Sequence, residues 1–212
     1  MEWINNLSRT QIFYYVYKLN TNDSLVYFDN LKQNQYVVIL EGTVCILKIF
    51  NNKKVFFVSI LNKNHLLNLI AMNKNSSFYY KIIAMNKTYV ISFAINTKSD
   101  VNPRVYLNII KAQGLTLKKY EIINCILKQQ YYKYKIIQII LFLFTEFGTI
   151  NKKHISLSFQ ISQKKLALIT GVNKTKINQV INVLVDKKII PFSSCKTIQI
   201  CNIYRLFFLY CY

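Results

Sequence analysis

The 212-residue sequence predicts an α+β chain: a β-roll of jelly-roll type, one long helix and a C-terminal winged helix-turn-helix. Three observations predict it. Residues 13–93 are a succession of short apolar runs rich in Tyr and Val, parted by clusters of Asn, Lys and Asp, as in strands joined by turns. From Pro103 the apolar residues recur in alternating steps of four and three, the period of a helix. Beyond residue 160, two short helical segments meet at Thr170-Gly171.

In the roll, the clearest strands are Tyr36–Glu41, Thr43–Phe50 and Lys54–Leu61. Asn51-Asn52-Lys53 joins the last two, with Asn suited to the positive φ of a tight turn. Tyr79–Ala84 and Thr88–Phe93 are expected to pair around Met85-Asn86-Lys87. Many short strands at such spacing make a sandwich or roll.

In the long helix, Val105, Ile109, Ala112, Thr116, Lys119, Ile123 and Ile126 form one stripe. Tyr106, Ile110, Gln113, Leu117, Tyr120, Asn124 and Leu127 form a second, one residue on. Two adjacent stripes predict cover on two sides, by the β domain and by a second copy of the helix. A wide face packed within the monomer is the alternative. Gly114 interrupts the pattern at a cost of roughly 1 kcal/mol relative to Ala. Next, Tyr134–Phe147 is apolar almost all round, which predicts a buried helix ended by Gly148. The resulting division is 1–100 for the roll, 101–132 for the long helix and 133–212 for the winged helix-turn-helix.

Ser162 is a good N-cap for Gln163–Ile169, Thr170-Gly171 breaks the chain, and Asn173 caps a second helix over about 174–186. Counted from Gln163, small Ala167 is fifth and Gly171 ninth, while Leu166, Val172, Ile177 and Val180 stand where a shared core is needed. Thr170 occupies a position that is usually apolar. Ile189–Phe192 and Thr197–Ile200 read as wing strands around Ser193-Ser194-Cys195-Lys196. Asn173, Lys174, Thr175, Lys176, Asn178 and Gln179 make an exposed face of amides and cations, suited to base edges and phosphates. A solvated face in an Asn- and Lys-rich chain is the plainer reading, but it leaves the spacing unexplained.

Charge supports the same region. The chain carries 28 basic and 8 acidic residues, a formal +20. Such a balance favours a polyanionic partner. Phe, Tyr, Met, Ile, Asn and Lys supply 112 residues, the mark of an AT-rich genome, so part of the Lys excess is codon bias. Its distribution is not: residues 151–212 hold 10 basic groups and 1 acid.

Other classes are disfavoured. The apolar runs at 136–144 and 206–212 are shorter than the roughly 18 residues of a membrane span. Residues 1–9 resemble neither a secretory nor a transit segment, so the protein is expected to act where it is made. Cys45, Cys125, Cys195, Cys201 and Cys211 are scattered, and His65 and His154 isolated, so no metal, haem or disulfide framework is expected. Neither paired catalytic carboxylates nor a phosphate-cradling Gly loop is present, and no enzyme is expected.

Leu40-Glu41-Gly42-Thr43-Val44, the helix end 141–148 and the segment 161–171 with Lys174-Thr175 following resemble the Crp/Fnr transcription regulators. Within them the chain is most similar to the nitrogen-control (NtcA-type) regulators of cyanobacteria and red-algal plastids. The resemblance implies a cyclic-nucleotide-binding-like roll and a homodimer paired through the long helix on a near-palindromic DNA site. It also implies transcriptional activation through RNA polymerase, in an algal plastid or, alternatively, a bacterial cytoplasm.

The family's base-reading positions fall on Lys174, Thr175 and Gln179, with Asn178 among them. Its backbone-contacting positions fall on Ser162 and Gln163, to which Lys164, Lys165, Asn173, Lys176 and Lys196 add phosphate contacts. Lys and Gln stand where relatives commonly have Arg, and Gln suits adenine rather than guanine.

The effector pocket implied by the resemblance falls on Asn68, Leu69, Ile70, Phe78, Thr116 and Glu121. It lacks the family's Gly turn, and its Arg positions hold Ser77 or Phe78 and Thr116. The residues do not suit cAMP, and for 2-oxoglutarate they lack the guanidinium fork, so no cofactor is expected. The alternative function is a protein that keeps this fold for sensing or interaction but has lost specific DNA recognition.

Overall fold

The computed structural model describes residues 2–27, 35–68, 77–95, 103–151, 154–190 and 199–200. Two compact units divide the chain, 1–121 and 122–212, so the boundary falls inside the long helix.

In the first unit, α1 (Glu2–Arg9) precedes β1 (Tyr14–Leu19), β2 (Ser24–Tyr27), β3 (Gln35–Glu41), β4 (Thr43–Phe50), β5 (Val55–Asn62), β6 (Leu66–Asn68), β7 (Phe78–Ala84) and β8 (Thr88–Ala94). They form two antiparallel four-stranded sheets, ordered β1-β8-β3-β6 and β2-β7-β4-β5. Alternation along each strand sends one set of side chains between the sheets. Val37, Ile39, Val44, Ile46, Leu61, Leu67, Ile82 and Val90 fill that space. The opposite face of the first sheet, with Val38, Leu66, Ile91 and Phe93, is covered by Trp3 and Leu7 of α1 and by Val105, Ile109 and Ala112. The last three belong to α2 (Pro103–Leu127), which runs unbroken through Gly114.

Two expected turns differ in detail. Between β4 and β5 the positive φ belongs to Lys53, at 62°, not to an Asn. Lys53 N–H donates to Phe50 O at 2.8 Å and Asn52 Oδ1 accepts from Lys54 N, the pattern of a three-residue hairpin loop whose last residue is left-handed. The strands around Met85-Asn86-Lys87 do not pair with each other: β7 bonds β2 and β4, whereas β8 bonds β1 and β3. The connection crosses from one sheet to the other. It runs against the parallel crossover at Gly42, where Met85 N–H donates to Thr43 O and Asn86 Oδ1 accepts from Thr43 N, both at 2.8 Å. These bonds satisfy backbone groups that a hairpin would have paired.

All seven residues of the first α2 stripe are buried. The second is open in the single chain, with Tyr106, Ile110 and Leu117 exposed and Tyr120 half-buried.

In the second unit, α3 (Tyr132–Phe147) buries Ile136, Ile137, Ile139, Ile140, Phe142, Leu143, Phe144 and Phe147. Gly148 ends it, but in extended rather than left-handed conformation (φ −75°), and begins β9 (Gly148–Asn151) at once. Glycine is needed there for space. A Cβ would meet Phe144 O and stand 2.7 Å from Ile155 Cγ2. β9 pairs with β10 (His154–Leu157), a hairpin not expected from the sequence. Then come α4 (Gln163–Thr170), α5 (Lys174–Asp186) and β11 (Gln199–Ile200), which pairs with β10 to give the order β11-β10-β9. The first expected wing strand is not formed at Ile189 and Ile190, which are buried outside any strand. Residues 191–198, including Lys196, lie outside the described residues.

Candidate nucleic-acid interface

Both caps of the helix pair are formed by the residues expected. Ser162 Oγ accepts from Lys165 N at 3.2 Å and Asn173 Oδ1 from Lys176 N at 3.0 Å. Each satisfies one N–H that the first helical turn leaves unpaired. Gly171, at φ 68°, is the left-handed residue that lets the chain leave α4 and reach the N-cap of α5, Asn173, two residues later. Thr170 is part of α4 rather than its break. It is buried, its hydroxyl donating to Leu166 O at 2.8 Å and accepting from Val172 N at 3.3 Å. That self-satisfaction explains why a polar residue stands at an apolar position. Leu166, Ile169, Ile177, Val180 and Leu184 are buried.

The outward face of α5 carries Lys174, Thr175, Lys176 and Gln179, all exposed, with Asn173 before them. Asn178 departs from expectation: it is half-buried, and its Oδ1 is buried without a hydrogen-bond partner. One residue past Ile177, it has turned off the presented face, where period alone does not separate a flank from the crest. Lys176 Nζ lies 4.9 Å over the Tyr132 ring, a cation–π contact that ties the first turn of α5 to that of α3. On α4, Ser162 and Lys164 are exposed and Gln163 and Lys165 half-buried, with Lys165 Nζ 3.5 Å from Gln160 O.

No family model matches the sequence. Among solved structures, the CRP-family regulator TTHB099 of Thermus thermophilus superposes with a TM-score of 0.74 at 11% identity, over 92% of this chain and 97% of that one. TTHA1359 of the same organism, a CRP/FNR-family regulator, superposes with 0.72 at 14% identity, over 93% and 99%. The chain has the fold of the CRP/FNR regulators. CooA of Carboxydothermus hydrogenoformans gives 0.70 at 17% identity over 93% of this chain and 88% of that one. In sequence, the HTH-type transcriptional regulator named ycf28 of Porphyra purpurea is 22% identical over 199 residues, 92% of this chain and 82% of the relative.

Within this CRP/FNR fold the residues of the expected effector pocket have other occupations. Thr116 is buried on α2, its Oγ1 3.0 Å from Leu66 N, 2.9 Å from Leu66 O and 3.0 Å from Ala112 O. The hydroxyl accepts from Leu66 and donates back, so its hydrogen-bonding capacity is used inside the chain. One turn on, Tyr120 packs against the core between the sheets, and its phenol is pushed up to about 12 by burial, with Tyr80 adding to the shift. Burial also raises Tyr80. Phe78 is half-buried at the start of β7, its ring 3.6 Å from Lys48 Nζ and 5.7 Å from Phe50. Sequence reasoning passed over Lys48. Its signal, a cation two residues from Phe50 on one strand face, is no stronger than that of any strand Lys. Glu121 is exposed, Asn68 ends β6, and Leu69 and Ile70 lie outside the described residues. His65 is buried, with Nδ1 3.0 Å from Asn62 O, a structural contact. Among the described residues no three His, Cys, Asp or Glu gather as a metal site, and no helix is long and apolar enough to cross a membrane.

Proposed function

We propose that the chain is a sequence-specific DNA-binding transcription regulator acting as a homodimer on a near-palindromic site. One observation carries the reading: a capped helix pair with a buried shared core that presents Lys174, Thr175 and Gln179 together on the open face of α5. Lys174 and Gln179 reach base edges, and Thr175 supports them. Ser162, Gln163, Lys164, Lys165 and Asn173 hold phosphates and set the register. The exposed second stripe of α2 supports pairing with a second copy, since Tyr106, Ile110 and Leu117 are at coiled-coil spacing and open to solvent. Similarity to a red-algal transcriptional regulator supports transcriptional control as the role and an algal plastid as the compartment; control of the nitrogen type through RNA polymerase is proposed on the motif resemblance alone.

The same reading takes no small-molecule effector. Thr116 and Tyr120 already join α2 to the roll through side chains of the chain itself, and neither cAMP nor 2-oxoglutarate finds an Arg between Arg9 and Arg104. Titration calorimetry with 2-oxoglutarate is expected to show no saturable heat, and a micromolar constant would contradict this part.

Selection from random duplex DNA with the full-length protein tests the whole. A recovered near-palindrome with half-sites about one helical turn apart is the expected result. Uniform, strongly salt-dependent binding without an enriched sequence would instead favour a protein that has lost specific recognition.

A further inference from the structure

α2 reaches both cores of the first unit. Its Val105, Ile109 and Ala112 pack outside the first sheet with Trp3 and Leu7, whereas Tyr120 packs against the core between the sheets. Between these two contacts the helix meets β6, at the edge of the first sheet. Thr116 Oγ1 stands there as a strand neighbour would, 3.0 Å from Leu66 N and 2.9 Å from Leu66 O, so one hydroxyl serves both polar groups of an edge residue. Inside the roll, alternation along β4 and β7 continues the inner rows of Ile46 and Ile82 through the register pairs Lys48–Tyr80 and Phe50–Phe78. Their side chains meet in series: Phe78 is edge-on to Tyr80 at 5.6 Å and 5.7 Å from Phe50, with Lys48 Nζ 3.6 Å over the Phe78 ring. Tyr120 joins this row from α2, close enough to Tyr80 for each phenolate to oppose the other. Side chains of the chain itself thus line the inner face from Tyr120 to Phe50.

We propose that Thr116 and Tyr120 form a built-in lock that keeps α2 in the position competent for DNA binding, with Tyr120 in the place a diffusible effector would otherwise take, so that the protein binds its site constitutively. The proposal rests on the DNA-binding reading above. A helix turns by about 100° per residue, so fastening α2 at residues 116 and 120 fixes which of its stripes is turned outward. The stripe so presented carries Tyr106, Ile110 and Leu117, the seam proposed for a second copy. A diffusible ligand shifts such an equilibrium only by its differential affinity for the two positions, and only while it is bound. Contacts within one chain are independent of any ligand concentration. Thr116 and Tyr120 are positioning residues, outside the base-reading and phosphate-holding sets.

The test measures binding of the full-length protein to the duplex recovered by selection, by fluorescence anisotropy after exhaustive dialysis. Wild type, Tyr120→Phe, Tyr120→Ala and Thr116→Val are compared with Val90→Ala, which removes volume from the same core on β8, at a temperature where all are folded by circular dichroism. Wild type and Tyr120→Phe are expected to bind alike without any small molecule, and added cAMP or 2-oxoglutarate to change neither. Tyr120→Ala should bind about tenfold more weakly, since the competent position is then held by a minority of molecules. Its selected sequence and salt slope should stay those of the wild type, because no contact to DNA is removed. Thr116→Val should weaken binding in the same sense, and Val90→Ala should not. Wild-type affinity in Tyr120→Ala, equal weakening in Val90→Ala, or a wild type that selects a site only with cAMP or 2-oxoglutarate present overturns this inference alone. A wild type that selects no site with or without them overturns the underlying reading with it.

Discussion

Gly42 comes so close to Thr88 that a Cβ at residue 42 would stand 2.7 Å from Thr88 Cα and 2.6 Å from Lys87 O. The glycine is left-handed, at φ 92°, and Thr88 Oγ1 turns toward Thr43 O at 3.3 Å. Two chain crossings between the sheets are thereby stacked at one corner of the roll. Gly42→Ala meets both a backbone clash and a disfavoured φ, and it should destabilise the chain by about 3 kcal/mol or more, read by urea denaturation.

Thr116→Val keeps the shape of the side chain and removes the hydroxyl. Leu66 N–H then stays buried without that acceptor, at an expected cost of about 1–3 kcal/mol. Faster hydrogen exchange at the Leu66 amide should accompany the loss, whereas Thr116→Ser should retain most of the protection.

Tyr120 links stability to alkaline pH. Its folded pKa of about 12 is above the ordinary 10.0, so the neutral phenol is favoured in the folded state. The contribution is complete below pH 10 and declines as the unfolded chain, but not the folded one, gives up its proton; it is lost through pH 12. Roughly 2 kcal/mol is at stake over that window. Denaturation of wild type against Tyr120→Phe, compared at pH 8 and near pH 11, checks the sign: the wild type alone should show this decline.

Gln179→Ala should relax the preference at one base position in each half-site and weaken binding by about 1–3 kcal/mol. An unchanged selected motif would remove Gln179 from the base-reading set.

Leu117→Glu places a charge in the exposed second stripe of α2. The fold of the single chain should be unaffected. Sedimentation should shift from dimer to monomer, and a dimer of wild-type affinity would show that this stripe is not the seam.

Much of the fold was legible because it rests on local periodicity and short-range hydrogen bonds. The seven-residue stripe that α2 buries, the caps at Ser162 and Asn173 and the turn at Gly171 need only neighbours within a few positions, and each is written in adjacent letters. The pairing of strands was less legible. Thr88–Phe93 follows Tyr79–Ala84 as a hairpin would, yet β8 joins β1 and β3, where Val90 enters the core between the sheets with Val44 and Ile82, and Ile91 and Phe93 pack on the other side with Trp3.

The candidate interface divides in the same way. That Lys174, Thr175 and Gln179 share an exposed face follows from helix period, and their part as base readers is what the family resemblance implies. That Asn178 turns partly inward, that Lys176 sets α5 against α3, and that Thr116 is bonded to a residue 50 positions away depend on which surfaces meet. The sequence by itself determined the strands β3, β4, β5, β7 and β8, the helices α2 and α3 and the basic helix pair, since propensity, capping and amphipathic period act over a turn or two. Only the tertiary structure decided the sheet partners, the closed corner at Gly42 and the use of Thr116 as an internal bond. Burial and hydrogen-bond satisfaction between residues far apart in the chain are properties of packing, and no local pattern encodes them.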